Sequence, residues 1–215
     1  ASAQDMYDFV SKAFDLAFKY RTPAIILSDG VIGQMMEKVE MSEQKPRWTD
    51  EEIKKNSPWA CTGKTNDRKQ NIITSLALDA AVHEKLNERL QAKYKKMEEE
   101  DVLFDSYMTE DAEHLLVAYG SMSRICQSVV ETARENGIKL GLLRPITLFP
   151  FANKEIDRLV PQLKSIMSVE LSAGQMVEDV RLVVNGRIPV NFYGRLGGIV
   201  PSPEEVYEAF VKSIK

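Results

Sequence analysis

The second half of the chain alternates short, mostly apolar runs with amphipathic segments four times, and this pattern is the strongest constraint on its fold. The runs cover residues 115–119, 140–143, 166–170 and 190–193. Short apolar runs bounded by turn residues are typical of strands that are buried on both faces. Strands that alternate with helices favour an open α/β sheet. We therefore predict an α/β domain over residues 113–215.

Turn and capping residues mark the helices of this predicted domain. Gly137 stands where a C-cap glycine belongs. Ser202, Pro203 and Glu205 predict the start of a last helix, with an N-cap serine, a proline at the first helical position and a glutamate at the third. Helices are also predicted after Gly120, over residues 153–163 despite Pro161, and over residues 174–184.

The first hundred residues predict a different arrangement. Apolar periodicity predicts helices over 4–20 and 71–100, and a short helix over 50–55 lies within a polar, irregular excursion. The only convincing buried strand is 24–27. A strand of this type needs parallel neighbours, and none precedes it. We therefore expect the sequence to start inside a domain, and this strand to have unpaired edges that favour self-association of the isolated chain.

Composition and charge exclude several classes of function. The formal net charge of −4 argues against a nucleic-acid partner, and no apolar run approaches the roughly 20 residues of a membrane span. Two distant cysteines, Cys61 and Cys126, suit a reducing, cytoplasmic compartment. They are too few to ligate an iron–sulfur cluster, which takes about four thiolates. His83 and His114 cannot form a zinc site on their own.

Two segments, 24–40 and 169–186, have similar sequences. In both, an apolar stretch leads to a serine, a glycine and a Gly-Gln-Met triplet. A glycine turn between a strand and a helix can direct backbone N–H groups at a phosphate. Neither copy has the spacing of G-x-G-x-x-G or of G-x-x-x-x-G-K-[ST]. Ligand contact and tight strand-to-helix packing both remain open, and we favour packing.

Several single residues are candidates for function. Glu170 ends a buried strand at the sheet edge where α/β proteins bind ligands, but we favour a carboxylate that holds a loop or a subunit contact. Asp29 is interpreted in the same way, as a loop-organising carboxylate rather than a general base. Cys126 is predicted to pack in the core. Cys61 lies in a loop and could be reactive, although no nearby histidine would lower its pKa.

A loop over residues 59–69 collects polar and basic side chains that could bind an anion. These are Thr62, Lys64, Thr65 and Arg68. A solvated surface loop explains the same residues equally well, so both interpretations stay open.

Three segments carry a resemblance to a known enzyme family. TPAIILSDGVIGQMMEKVE, LLVAYGSMSRICQSVVETARENGIKLGLLRPITLFPF and VELSAGQMVEDVRLVVNGRIPVNFYGR together resemble the alpha subunit of 2-oxoacid:ferredoxin oxidoreductases, in particular the 2-ketoisovalerate (3-methyl-2-oxobutanoate) type. The resemblance implies two parts. Residues 1–105 would be the C-terminal part of a thiamine-diphosphate pyrimidine-type domain with a long brace helix, and 113–215 a domain similar to the transketolase C-terminal domain.

The resemblance also implies the overall reaction and its cofactors. A branched-chain 2-oxoacid is oxidatively decarboxylated to acyl-CoA, and electrons pass to ferredoxin. Thiamine diphosphate and Mg would lie on a beta subunit, and iron–sulfur clusters on another of the partners, which include gamma and ferredoxin-like subunits. Contacts between copies of the assembly are expected, whereas contacts with nucleic acid or membrane are not. This chain by itself is expected to bind none of the cofactors, to be inactive and to serve a structural and interface role.

No catalytic residue can be carried over from the family. Its pyrimidine-activating glutamate and its substrate loop would lie upstream of Ala1. The resemblance places two groups of residues near the cofactor or at an interface: Ser28, Asp29, Gly30, Gly33, Gln34 and Met35 in the first part, and Glu170, Gly174, Gln175 and Met176 in the second. The alternative from a different class is a non-catalytic interaction or small-ligand domain that uses the Gly174 turn or the loop over residues 62–68.

Overall fold

A computed structural model describes residues 1–41, 48–61, 63–64, 66 and 68–215. The chain divides into two compact units. One comprises Ala1–Val39 with Lys93–Lys215, and the other comprises Glu40–Ala92. In the described part of the chain, four helices precede the first strand: α1 (Ala3–Tyr20), α2 (Gly30–Gln34), α3 (Asp50–Asn56) and α4 (Ala80–Glu100).

The larger unit contains a five-stranded sheet. Its strands are β1 (Phe104–Tyr107), β2 (His114–Ala118), β3 (Leu140–Pro145), β4 (Ser165–Glu170) and β5 (Val190–Gly194), in the spatial order β1-β3-β2-β4-β5. The strands β2 to β5 run parallel, and β1 pairs antiparallel with β3 at one edge. The predicted α/β fold class with an open sheet is therefore confirmed.

Helices cover both faces of this sheet. The helices α5 (Gly120–Glu135), α6 (Asn153–Leu159) and α7 (Met176–Val184) connect the parallel strands, and α8 (Pro203–Ser213) follows β5. One core cluster joins α6 and α7 to the sheet, and the other joins α5 and α8 to its opposite face. Leu115 and Val117 of β2 belong to the first cluster, whereas Leu116 and Ala118 belong to the second. Successive side chains of a strand point to opposite faces, so burial on both faces requires a continuous apolar run.

The helix predicted over 71–100 begins nine residues later in the structure than predicted. Residues 71–79 are not helical, and α4 begins at Ala80. The side chain of Asp79 accepts a hydrogen bond from the backbone N–H of Val82 at 3.0 Å, which satisfies a donor in the first helical turn. The preceding stretch contains Ile72, Ile73 and Thr74, whose branched β-carbons make a helix less favourable.

The strand predicted over 24–27 is also wrong, because no strand is formed there. The side chains of Ile25 and Leu27 are 80% and 70% exposed. An apolar run becomes a buried strand only when neighbouring strands take up its backbone hydrogen bonds, and among the described residues no strand pairs with this segment.

Two differences in the second half have local causes. The helix predicted over 153–163 ends at Leu159 and continues as a 3-10 turn, Val160–Gln162, because Pro161 lacks the N–H that an α-helix requires. The strand β1 was not predicted at all. It has four residues, three of them exposed, and therefore no apolar run or alternation.

Candidate functional site at the carboxyl edge of the sheet

The carboxyl ends of β2 and β4 lie side by side at the centre of the sheet. The chain leaves β2 through α5 to β3 on one side, and later returns to the other side of β2 as β4. Ala118 at the end of β2 is paired with Val169 of β4, next to Glu170. In open α/β sheets such a reversal of strand order leaves a crevice that commonly binds ligands. The turns after β2 and β4 are thus the first place to look for a site.

Glu170 is the centre of the turn after β4. Its side chain is buried, with 1% of the residue exposed. It accepts hydrogen bonds from the hydroxyls of Ser168 and Ser172, both at 2.9 Å. The remaining donors are the backbone N–H groups of the first turn of α7: Gln175 at 3.0 Å, Met176 at 3.1 Å and Val177 at 2.9 Å. The carboxylate therefore occupies the N-terminus of α7, where a bound anion would otherwise lie.

These hydrogen bonds decide the ionisation state of Glu170. Burial by itself raises the pKa of this carboxyl, but the donors from Gln175, Ser168, Ser172 and Val177 favour the charged form more strongly, and the net pKa is lowered. Burial raises the pKa of Asp179 on α7, and the negative charge of Glu170 raises it further. Glu170 thus organises the loop after β4.

Glycine is needed at one position in the turn and at one position in the neighbouring strand β5. Gly174 has a φ of +105°, and its N–H donates to the hydroxyl of Ser172 at 3.0 Å. A Cβ on Gly194 would lie 2.4 Å from the carbonyl oxygen of Ser172 and 2.4 Å from the ring of Phe192. The backbone of β5 therefore approaches the turn too closely for a side chain at position 194, which is the kind of tight packing that we favour for the segment 169–186.

Asp29 plays a comparable role in the first segment. Its Oδ1 accepts from the N–H groups of Val31 at 3.0 Å and Ile32 at 2.9 Å, and so caps α2. Its Oδ2 accepts from the N–H of Ser121 at 3.1 Å, in the first turn of α5. Burial raises the pKa of Asp29, but the hydrogen bonds from Ile32, Ser121 and Val31 outweigh it and lower the net pKa. Ser28 donates its hydroxyl to the carbonyl of Asp29 at 3.3 Å.

The other residues of the first segment lie on or beside α2. Gly30 and Gly33 have no atom within 4 Å of an added Cβ, so tight packing does not explain these two glycines. Gln34 ends the helix, and the sulfur of Met35 lies 3.9 Å from the guanidinium of Arg124 on α5. The structure thus places the carboxylate of Asp29 beside the turn that follows β2, whereas Glu170 is the last residue of the adjacent strand β4. Ser121 and Arg124, which hold the first segment, carried no sequence signal.

Other candidates lie away from this edge. Cys126 is a core residue, and burial raises the pKa of its thiol well above the ordinary value. Cys61 and His83 are exposed. His114 begins β2 at the opposite end of the sheet, where its Nδ1 lies 2.8 Å from the hydroxyl of Ser165. Burial is the largest cause that lowers the pKa of this imidazole.

The predicted anion loop falls partly outside the described residues, since these do not include Thr62 and Thr65. Arg68 directs its guanidinium at the carbonyl oxygens of Ala60, at 3.2 Å, and Gly63, at 3.0 Å. This side chain therefore stabilises its own loop. Within the described ranges, no group of three or more acidic, histidine or cysteine side chains is placed to hold a metal ion. Nor is any helix in those ranges long and apolar enough to cross a membrane.

Two family models match the chain in succession. Residues 1–106 match the model described as "Pyruvate flavodoxin/ferredoxin oxidoreductase, thiamine diP-bdg". Residues 112–206 match "Pyruvate:ferredoxin oxidoreductase core domain II". The turn of Asp29 belongs to the first match, and the turns of Ser121 and Glu170 belong to the second.

Curated relatives align with nearly the whole chain. The ketoisovalerate oxidoreductase subunit VorB of Methanothermobacter marburgensis is 45% identical over 197 residues, which are 92% of this chain and 54% of the relative. The 2-oxoglutarate synthase subunit KorA of the same organism is 28% identical, over 96% of this chain and 60% of the relative. The chain thus spans between half and two thirds of the length of these relatives.

A solved structure supports the fold. The 2-oxoglutarate:ferredoxin oxidoreductase from Magnetococcus marinus, determined with 2-oxoglutarate, coenzyme A and succinyl-CoA bound, aligns with a TM-score of 0.67. The alignment covers 91% of this chain and 38% of that chain, at 18% sequence identity. At this level of identity the likeness concerns the fold.

Proposed function

Because the chain belongs to the 2-oxoacid:ferredoxin oxidoreductase family, we propose that it is part of an alpha subunit of the ketoisovalerate type. The observation that carries this proposal is the 45% identity to VorB over 92% of the chain, against 28% to KorA. In the proposed reaction, a branched-chain 2-oxoacid and the thiol of coenzyme A yield acyl-CoA, CO2, one proton and two electrons. Ferredoxin takes up the electrons.

The proposed role of this chain in the assembly is structural. Glu170 binds the turn 171–175 and its flanks through five donors, which restricts the conformations of this turn. The side chains of Ala173 and Gln175 project from it to solvent. A rigid turn with exposed side chains loses little conformational entropy on binding, which favours a protein interface. We propose that the turn of Glu170, Gly174, Gln175 and Met176 forms an interface with a partner subunit, in which Gln175 makes contact and the buried Glu170 and Met176 support the turn from within. We also propose that residues 28–35 lie near the cofactor.

The cofactors of the proposed reaction belong to partner subunits. In the assembly, thiamine diphosphate would supply the nucleophile for the 2-oxoacid, Mg would hold its diphosphate, and iron–sulfur clusters would carry the electrons. The cysteines of this chain do not suffice for an iron–sulfur cluster. Its sequence has two cysteines, whereas a cluster takes about four thiolates. The described residues also provide no group of metal ligands. The proposed holders are the beta, gamma and ferredoxin-like subunits, in an assembly with contacts between copies.

The division of the chain is part of the same proposal. We place the pyrimidine-type part at residues 1–105 and the second domain at 113–215. The strand β1 lies at this boundary and pairs with β3 of the second domain. A separately folding second domain would therefore include β1 for full stability.

A small-ligand domain is a weaker explanation of the same turn. The N–H groups of Gln175, Met176 and Val177 would be the donors for an anionic ligand, but all three are bound by Glu170. An anion would have to displace a buried, hydrogen-bonded carboxylate and would meet its negative charge. This observation favours the interface role over phosphate binding.

The proposed function is tested on the assembled enzyme. The alpha subunit that contains this chain is combined with its partner subunits, and ferredoxin reduction is measured with coenzyme A and 3-methyl-2-oxobutanoate, 2-oxoglutarate or pyruvate. We expect the largest kcat/KM with 3-methyl-2-oxobutanoate. A larger kcat/KM with 2-oxoglutarate or pyruvate would refute the ketoisovalerate type. An assembly that is inactive with all three would refute the proposed reaction.

A further inference from the structure

One carboxylate connects two parts of the chain that match different family models. Asp29 lies in the part matched over residues 1–106, and Ser121 lies in the part matched over 112–206. The two oxygens of Asp29 have separate tasks: Oδ1 caps α2 through Val31 and Ile32, and Oδ2 accepts from Ser121 in the first turn of α5. A single side chain thus fixes the turn 28–30 relative to the end of the central strand β2.

A close approach and a second ion pair accompany the contact between Asp29 and Ser121. Gly120 has a φ of +58°, and a Cβ on it would lie 3.1 Å from Oδ2 of Asp29. A second contact follows one turn further along α5, where Arg124 binds Glu37 with 2.5 Å between Nη1 and Oε1. Glu37 also accepts the backbone N–H of Ala3 at 2.9 Å, which includes the start of α1 in the same junction.

We propose that Asp29 is a positioning residue, which holds the turn 28–30 in a fixed place against the first turn of α5 so that the cofactor-proximal segment is correctly aligned during catalysis. This inference rests on the proposed function. Asp29 touches neither substrate nor cofactor in it. Its contribution acts through the placement of residues 28–35, and small displacements of positioning groups are costly to rate.

Two substitutions separate the capping task from the positioning task. In Asp29→Asn a single oxygen remains, so it cannot serve both α2 and Ser121. In Asp29→Ser the hydroxyl still caps α2 but is too short to reach α5 as well, and serine is a good N-cap residue. The matched control is Asp79→Asn, because Asp79 accepts from Val82 in the first turn of α4 and the change is the same in chemistry.

The first measurement is hydrogen exchange of the Ser121 amide in the assembled enzyme. We expect roughly tenfold faster exchange in both Asp29 variants, as fits the loss of a hydrogen bond to a charged group, and no change in Asp79→Asn. The second measurement is the kinetics of the preferred 2-oxoacid. We expect kcat to fall by roughly tenfold with KM within about twofold, since alignment acts on the chemical step rather than on substrate binding.

The outcomes separate this inference from the proposed function. Unchanged exchange of Ser121 would show that the hydrogen bond to Asp29 does not exist in solution, and would overturn the inference. Faster exchange with an unchanged kcat would reduce Asp29 to a structural contact and overturn its positioning role. An inactive wild-type assembly would overturn the proposed function and the positioning role with it, whereas the exchange measurement would still decide whether the contact exists.

Discussion

The backbone N–H of Val177 donates to Oε1 of Glu170 at 2.9 Å, so the last residue of β4 serves as an acceptor for the first turn of α7. The same carboxylate binds Gln175 and Met176, and it is therefore built into the turn. At the end of the adjacent strand β2, Asp29 accepts the N–H of Ser121 on α5. Both helix N-termini at the centre of this sheet edge are thus bound by carboxylates of the chain itself.

Glu170→Gln tests the importance of the charge. We expect it to lower the free energy of unfolding by about 3 kcal/mol, because a neutral amide accepts fewer bonds and its NH2 group faces buried donors. Urea denaturation measures the change. The control is Glu178→Gln on α7, an exposed residue paired with Arg181, for which a change within about 0.5 kcal/mol is expected. Equal effects of the two substitutions would refute the central role of Glu170.

The lowered pKa of Glu170 predicts how this stabilisation depends on pH. A carboxyl whose pKa is lower in the folded than in the unfolded chain stabilises the fold when it is ionised in both. The stability difference between wild type and Glu170→Gln should therefore be complete above the ordinary glutamate value of 4.5, and should decrease as the pH falls through the folded pKa. Urea denaturation between pH 7 and pH 3 measures it. A difference that grew with falling pH would contradict the prediction.

Gly194→Ala tests the close approach of β5 to the turn. The added Cβ would lie 2.4 Å from the carbonyl oxygen of Ser172, so we expect a loss of about 2 kcal/mol in thermal or urea unfolding. Gly33→Ala in α2 is the matched control. It has open space around the new methyl group, and we expect it to be neutral or slightly stabilising. If both substitutions were neutral, the packing of β5 against the turn would be looser than described.

The second domain is expected to fold on its own, and β1 should contribute to its stability. A fragment of residues 113–215 should give a dispersed amide NMR spectrum in buffer. A fragment of 101–215 should be more stable by about 2 kcal/mol, because β1 adds four cross-strand pairs to the edge of β3. The two fragments differ in residues 101–112, which include β1, so the shorter fragment serves as the control for the contribution of β1. Disordered amide shifts for both fragments would refute the independent domain.

The chain by itself should not bind thiamine diphosphate. Catalysis by this cofactor needs a carboxylate at the pyrimidine, metal-bound diphosphate ligands and a site closed to water, and we propose that other polypeptide segments supply them. Isothermal titration with thiamine diphosphate and Mg should show no heat of binding, and no 2-oxoacid oxidation should be measurable. A stoichiometric micromolar binding signal would place the cofactor site on this chain.

Local sequence signals determined most of the second domain. The strands β2 to β5 follow from short, mostly apolar runs, which are nearly continuous in β2 and β3 because these strands are buried on both faces. The start of α8 follows from Ser202 and Glu205, which form the predicted capping box. Glu170 and Asp29 could be interpreted as loop-organising carboxylates, because each stands directly before a turn. Each of these signals involves only a few neighbouring residues, so the structure that it predicts forms from local interactions.

Only the tertiary structure decided which distant residues and strands these segments contact. Ser121 binds Asp29 across 92 positions of the chain, and no local pattern specifies a partner at that distance. The exposed strand β1 forms because β3 has an open edge. The apolar run 24–27 forms no strand, and among the described residues no strand lies beside it. Strand formation depends on a neighbour that accepts the backbone hydrogen bonds, and the neighbour is chosen by the fold rather than by the segment.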